Sequence, residues 1–133
     1  MDVDAHPSDS AWKVFLADDD DDTRQLMGAA LRRAGFEVVE AANGVELVEH
    51  VKREPAAQVI VISDVGMPEL DGIAAARELC GERPGLPILL VTAFGDVDTV
   101  RRARAAGVKR VLAKPLDLGM LARTARELVR AAS

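Results

Sequence analysis

The stretch that most constrains this chain is a run of four β-branched apolar residues that leads into an acid. Residues 59–62 are Val-Ile-Val-Ile, and Asp64 follows after one serine. Such a continuous apolar run is typical of a strand that is buried on both faces of a sheet. Gly66 and Pro68 then interrupt regular structure. We therefore expect Asp64 at the carboxyl end of a central strand, where open α/β sheets bind ligands. The alternative is an Asx turn that merely ends the strand.

The rest of the chain alternates short apolar runs with amphipathic segments. The predicted strands are 12–17, 36–40, 59–62, 88–91 and 108–113, and a segment with helical periodicity follows each of them. In the first of these helices, one face collects Thr23, Leu26, Met27, Ala30, Leu31 and Ala34. Alternation with short loops predicts an α/β fold: a five-stranded parallel sheet with five helices on both faces. The 133 residues suggest one domain at 11–133, after a disordered tail at 1–10.

Composition excludes several classes of function. The net charge of −5 gives no general electrostatic case for direct nucleic-acid binding. The single cysteine, Cys80, excludes an internal disulfide and a multi-cysteine metal site, and it fits a reducing compartment. No apolar run is long enough to span a membrane, and no signal peptide is evident. We therefore expect a cytoplasmic domain that does not bind a membrane.

Polar side chains follow four of the five predicted strands. They are Asp18-Asp19, Asp64, Thr92 and Lys114, whereas the second strand ends at Ala41-Ala42 with no evident chemistry. Since the carboxyl ends of parallel strands share one edge of the sheet, we expect these side chains to lie together. The alternative is that the four polar groups are unrelated caps of helices or strands, but it is improbable that such caps would all follow a strand at the same point.

The residue types at this edge predict phosphoryl chemistry. Clustered carboxylates repel one another, and an all-oxygen site with room for water suits Mg²⁺. Lys114 and Thr92 supply a positive charge and a hydroxyl for phosphoryl oxygens, so that Asp64 can act as a nucleophile and form an aspartyl-phosphate. A phosphohydrolase is disfavoured because Val65 and Gly66 offer no second carboxylate. The chain also contains no P-loop and no dinucleotide fingerprint.

These residues resemble the receiver domain of two-component response regulators. The shared motifs are Asp18-Asp19, Asp64 within Asp-x-x-Met-Pro-x-x-Asp-Gly, Thr92-Ala93 and Lys114-Pro115, and the similarity extends over roughly residues 12–131. The resemblance implies a flavodoxin-like strand order of 2-1-3-4-5. It also implies a cis peptide at Lys114-Pro115, which is plausible before a proline.

The resemblance also implies a role for each residue of the site. Asp64 would accept a phosphoryl group from a sensor histidine kinase or a histidine phosphotransfer protein. Asp19, Asp64 and the backbone carbonyl of Gly66 would ligate Mg²⁺ directly, with Asp18 acting through water. Thr92 and Lys114 would bind the phosphoryl group. Beyond its own phosphotransfer and autodephosphorylation, such a domain is not an enzyme.

The same resemblance places the output on the face formed by the fourth helix, the fifth strand and the fifth helix. A downstream protein partner or effector domain would bind there, and a homodimer through this face is a further option. Residues 101–130 carry nine basic and two acidic side chains, which favours an acidic partner or, more simply, a solvated surface.

Two departures from the family pattern concern the fifth strand. Val111 stands where the family usually has an aromatic residue that moves with the conserved threonine, and Lys109-Arg110 stand where one large subfamily has acidic dimer contacts. The first departure keeps open an alternative, a pseudo-receiver that binds partners without phosphorylation. The second argues against that subfamily's mode of dimerisation.

Overall fold

A computed structural model describes residues 12–93 and 95–132. The strands are β1 Lys13–Ala17, β2 Glu37–Ala41, β3 Val59–Asp64, β4 Ile88–Thr92 and β5 Arg110–Ala113. The helices are α1 Asp21–Arg33, α2 Gly44–Arg53, α3 Gly72–Glu82, α4 Val97–Ala105 and α5 Leu118–Ala132. The tail predicted at residues 1–10 lies outside the described residues.

The five strands form one parallel sheet in the order β2-β1-β3-β4-β5, as predicted. The register aligns the carboxyl ends of the strands: Ala17 is opposite Ser63, Asp64 is opposite Val91, and Thr92 is opposite Ala113. Each strand therefore delivers the residue at or just after its end to the same edge of the sheet. The Lys114-Pro115 peptide is cis, as the resemblance implied.

Two apolar cores lie on opposite faces of this sheet. One contains Phe15, Val61 and Leu90 with residues of α2, α3 and α4. The other contains Ile60 and Ile62 with residues of α1 and α5. Alternate side chains of β3 enter both cores, so all six of its residues are buried. The backbone of Asp64 is therefore fixed from both faces of the sheet.

Aspartate and asparagine side chains begin four of the five helices. Each accepts a hydrogen bond from the backbone N–H three residues later, which satisfies a donor that the helix itself leaves open. These N-cap residues are Asp20, Asn43, Asp71 and Asp96. In α5, the Asp117 Oδ1 accepts a similar bond from the Met120 N–H at 3.1 Å.

The first helix differs from its prediction in one respect. Met27, Leu31 and Ala34 are buried as expected, but Leu26 is 61% exposed. A stripe that includes both Leu26 and Met27 is wider than the strip of α1 that the sheet covers. Leu26 instead lines a surface groove between α1 and α5. No helix in the described part of the chain has the length and apolar character that a membrane crossing requires.

Candidate functional site

The predicted site residues meet at the carboxyl edge of the sheet. Asp18 directly follows β1, Asp64 and Thr92 are the last residues of β3 and β4, and Lys114 directly follows β5. The Lys114 N–H donates to the Thr92 carbonyl oxygen at 2.8 Å, which keeps the ends of β4 and β5 together. Thr92 is buried, so its position is set by the sheet rather than by solvent.

Three carboxylates form an acidic cluster at this edge. One oxygen from each of Asp18, Asp19 and Asp64 lies within 4.8 Å of the other two. Asp18 is fully buried and Asp64 is nearly so, whereas Asp19 is exposed. The cluster thus has two fixed, desolvated carboxylates and a third that opens to solvent. This set of oxygens could hold a metal ion.

Lys114 brings a positive charge to the same cluster. Its Nζ lies 3.5 Å from the Asp64 Oδ2 and 3.6 Å from the Asp18 Oδ2. Both distances exceed the roughly 2.7–2.9 Å of a tight charge-assisted hydrogen bond. The ammonium therefore neutralises part of the negative charge without closing tightly on either carboxylate.

Burial raises the pKa of Asp64 above its ordinary value, and the neighbouring Asp18 charge raises that pKa further. Lys114 and a hydrogen bond from the Gly66 N–H oppose this rise. The net direction shows that one lysine does not offset the cost of ionising Asp64 in this environment. A further cation beside Asp64 would lower that cost.

Asp18 provides an independent indication that a cation fits here. Its Oδ1 accepts a hydrogen bond from the Asp20 N–H at 2.9 Å. Its Oδ2 is buried and has no hydrogen-bond partner among the described residues. A buried carboxylate oxygen without a hydrogen bond is costly, and the Lys114 ammonium is too distant at 3.6 Å to donate one. A hydrated divalent cation would satisfy this oxygen. The residues present therefore fit a hard, oxygen-preferring ion such as Mg²⁺.

The loop after β3 is shaped by a glycine at the start of α3. A Cβ on Gly72 would lie 2.3 Å from the Asp64 carbonyl oxygen, so no larger residue fits without a backbone shift. The Gly72 N–H also donates to the Val65 carbonyl oxygen at 2.9 Å. Gly66 is exposed, with open space where its side chain would be. The Asp-Gly pair of the motif thus brings α3 against the backbone of the predicted acceptor.

The end of β2 supports the site indirectly, although Ala41-Ala42 supply no functional group, as the sequence indicated. Glu40, the residue before Ala41, accepts a hydrogen bond from the Arg24 Nε at 3.1 Å. The Nη1 of Arg24 donates to the Asp18 carbonyl oxygen at 2.9 Å. Sequence inspection missed both residues because Arg24 lies on a surface helix and Glu40 precedes a stretch without functional groups. Nothing in their spacing indicates that they meet.

The predicted output face consists of the described residues of α4, β5 and α5. Val97 is 80% exposed, and Arg104 and Lys109 are exposed. Two other cations are paired: Arg101 with Asp98 at 3.4 Å and Arg110 with Glu127 at 2.9 Å. Val111 is half-buried against the core on this side of the sheet. The face is therefore basic with an apolar patch at the start of α4.

Sequence comparison matches residues 14–126 to the family model described as the response regulator receiver domain. The chain is 35% identical over 106 residues to the response regulator receiver protein CpdR of Brucella abortus, covering 80% of this chain and 87% of that protein. It is 38% identical over 117 residues to the C4-dicarboxylate transport transcriptional regulatory protein DctD of Rhizobium meliloti, covering 88% of this chain. The chain spans only 25% of that second relative's length.

Solved structures show the same architecture. A response regulator receiver domain protein from Clostridium thermocellum superposes with a TM-score of 0.83 at 26% identity, covering 90% of this chain and 95% of that one. A chemotaxis protein from Vibrio cholerae superposes with a TM-score of 0.82 at 28% identity, covering 88% of this chain and 98% of that one.

Proposed function

Since this chain belongs to the response regulator receiver domain family, we propose that it is a phosphorylation-operated switch with Asp64 as its phosphoacceptor. Receiver domains are typically phosphoacceptors rather than enzymes that turn over a substrate. The observation that carries the proposal is the position of Asp64. Its buried carboxylate ends the central strand, lies 3.5 Å from the Lys114 ammonium, and shares an acidic cluster with Asp18 and Asp19.

The proposed metal is Mg²⁺, held by Asp19, Asp64 and the backbone carbonyl of Gly66, with Asp18 acting through water. The buried Asp18 Oδ2, which has the Lys114 ammonium 3.6 Å away but accepts no hydrogen bond among the described residues, supports a cation at this edge. The raised pKa of Asp64, caused first by burial, supports it as well. When bound, Mg²⁺ would supply positive charge for the phosphoryl oxygens in transfer. Asp18 and Asp64 cannot move far to meet it, because both are buried at strand ends.

In the proposed transfer, a carboxylate oxygen of Asp64 forms a bond to phosphorus. The bond between phosphorus and the donor's imidazole nitrogen breaks, and the nitrogen keeps the electron pair. Lys114 and the Thr92 hydroxyl would bind the phosphoryl oxygens as charge accumulates on them. The donor would be a phosphohistidine of a sensor histidine kinase or of a histidine phosphotransfer protein.

The proposed output is a change in the α4-β5-α5 face that a downstream protein or effector domain recognises. Phosphorylation adds negative charge beside Thr92 and Lys114. The backbones of these two residues are joined by the 2.8 Å hydrogen bond from the Lys114 N–H to the Thr92 carbonyl oxygen, so a movement of either residue would reach the ends of β4 and β5. The exposed basic residues of α4 and β5 favour a partner that presents carboxylates beside an apolar contact for Val97. A homodimer through this face is the other form that the output could take.

Intact mass spectrometry after incubation with acetyl phosphate and Mg²⁺ tests the proposal. We expect the mass to increase by one phosphoryl group in the native chain, with no increase in EDTA or in Asp64→Asn. An unchanged mass, with Mg²⁺ binding confirmed by calorimetry, would favour a pseudo-receiver or a domain that accepts only a protein donor. Incubation with a phosphorylated histidine kinase then separates those two cases.

A further inference from the structure

The backbone of Asp18 is held on both sides by the end of β2. The Asp18 N–H donates to the Ala41 carbonyl oxygen at 3.2 Å. The Asp18 carbonyl oxygen accepts a hydrogen bond from the Arg24 Nη1 at 2.9 Å, and Arg24 is in turn bound to Glu40. Two consecutive residues of β2 thus fix both polar groups of the Asp18 backbone, one directly and one through Arg24.

Arg24 can do this because its guanidinium is occupied on all sides. Nε donates to the Glu40 Oε1 at 3.1 Å, and Nη2 lies 2.8 Å from the Asp21 Oδ1. Only 13% of the Arg24 side chain is exposed. Because the guanidinium is planar and each of its three nitrogens has its own acceptor, only one orientation makes all three contacts. A lysine ammonium could not make the same three contacts. The Nη1 is therefore directed at Asp18 by two carboxylates.

The fixed backbone has a consequence for the Asp18 carboxylate. Its Oδ1 is bound to the Asp20 N–H at 2.9 Å, so the side chain is restrained as well as the backbone. The oxygen left over is Oδ2, which lies 3.6 Å from the Lys114 Nζ and is buried without a hydrogen-bond partner among the described residues. Every restraint on Asp18 thus leaves Oδ2 at the site.

We propose that Arg24, oriented by Glu40, is a positioning residue that holds the Asp18 Oδ2 in place for the hydrated cation. The inference rests on the proposed function, because it assigns the cation site to Mg²⁺. Arg24 does not contact the cation or the phosphoryl group in this account. It acts on the preorganisation of one acidic residue, as outer-shell partners of metal ligands do.

The chain offers a matched control in Arg32. Its Nη2 lies 3.0 Å from the Glu40 Oε2, so it shares the same carboxylate as Arg24. Its side chain is 49% exposed, and its other hydrogen bond goes to the Val38 carbonyl oxygen rather than to Asp18. Loss of Arg32 therefore removes an arginine from the same ion-pair cluster without removing the contact to Asp18.

The test compares the Mg²⁺ affinity of the native chain, Arg24→Met, Arg32→Met and Glu40→Gln. Isothermal titration with MgCl₂ gives the Kd, and thermal unfolding in EDTA gives the stability of each metal-free variant. We expect Arg24→Met to raise the Kd about tenfold, at the lower end of the losses seen for outer-shell partners. Arg32→Met should stay within about twofold, and Glu40→Gln should weaken binding less than Arg24→Met.

A purely structural role for Arg24 would lower the unfolding temperature and leave the Kd unchanged, which would overturn the inference. Equal weakening by Arg24→Met and Arg32→Met would overturn it as well. If Arg24→Met does not fold, Glu40→Gln decides: weaker binding than in Arg32→Met supports the inference, and equal binding refutes it. A native chain that binds no Mg²⁺ would overturn the proposed metal site and this inference together.

Discussion

Strands β3 and β5 both deliver a charged residue to the site, but they hold it differently. β3 has six residues, all buried, and it pairs with β1 on one side and β4 on the other. β5 has four residues, none of them buried, and among the described strands it pairs with β4 alone. The Asp64 side chain is 10% exposed, whereas the Lys114 side chain is 28% exposed.

The two strands therefore hold their charged residues with different rigidity. The proposed acceptor lies at the end of a strand that is buried along its whole length and paired on both sides, so it can present the same carboxylate to each donor. Lys114, the cation beside the proposed acceptor, directly follows an edge strand next to the α4-β5-α5 face, where a small shift costs little packing. The rigidly held acceptor and the less restrained lysine then lie at different positions along the same edge of the sheet.

Truncation of a core residue should show this contrast most strongly. Ile62→Ala should lower the free energy of unfolding by about 3–4 kcal/mol, because it leaves a cavity under the fully buried strand. Val111→Ala on β5 should cost less than about 1 kcal/mol, because that side chain is only half-buried. Urea unfolding of both variants measures the difference. Equal losses would mean that β5 is as restrained as β3.

Loss of the lysine charge should slow phosphorylation while leaving the fold intact. Lys114→Met should reduce the rate of phosphoryl uptake from acetyl phosphate about 100-fold, equivalent to roughly 2.7 kcal/mol, since it removes one charged group from the developing charge. The time course of the intact mass at fixed Mg²⁺ gives the rate. An unchanged rate of phosphoryl uptake would show that Lys114 does not take part in the chemical step.

The raised pKa of Asp64 predicts a pH dependence in the absence of metal. Because burial raises that pKa above 3.8, the folded state binds this proton more tightly than the unfolded state does. The contribution of Asp64 to stability therefore falls as the pH rises above 3.8 toward the raised pKa, and it stays low at neutral pH. In EDTA, Asp64→Asn should unfold a few degrees higher than the native chain at pH 7.

This advantage of Asp64→Asn should shrink as the pH is lowered toward 3.8, and added Mg²⁺ should stabilise the native chain more than the variant. Thermal unfolding at several pH values, with and without Mg²⁺, measures both effects. A variant that is less stable than the native chain at neutral pH would show that the Asp64 carboxylate is not destabilising in the metal-free fold.

The smallest effect is expected from adding volume at the edge strand. Val111→Phe should change the free energy of unfolding by less than about 1 kcal/mol, since a surface cleft of about 140 Å³ adjoins that residue. Val61→Phe, the same change in the buried strand, should cost about 1–3 kcal/mol through overpacking. Chemical denaturation of both variants gives the comparison. A large loss at Val111 would show that β5 has no room for an aromatic side chain at this position.

The sequence was most informative where topology alone decides the outcome. A run of β-branched residues ending at Asp64 predicted a buried central strand, and parallel strands necessarily bring Asp18, Thr92 and Lys114 to the same edge. Helix caps such as Asp20 were predictable because they act within four residues.

Contacts between distant elements were not predictable in the same way. The bond from Arg24 to the Asp18 carbonyl depends on Glu40, a residue of another strand, and no local pattern specifies that meeting. The exposure of Leu26 likewise depends on how much of α1 the sheet covers, which hydrophobic periodicity does not reveal.

The measurement that tests the central claim most directly is the location of the phosphoryl group. After incubation with acetyl phosphate and Mg²⁺, borohydride reduces the acyl phosphate of the phosphorylated aspartate to an alcohol. Proteolysis and tandem mass spectrometry then identify the reduced residue. We expect a single modified residue, Asp64. Modification at Asp18 or Asp19 instead, or no modification of a chain that binds Mg²⁺ and has been given a phosphorylated histidine kinase, would contradict it.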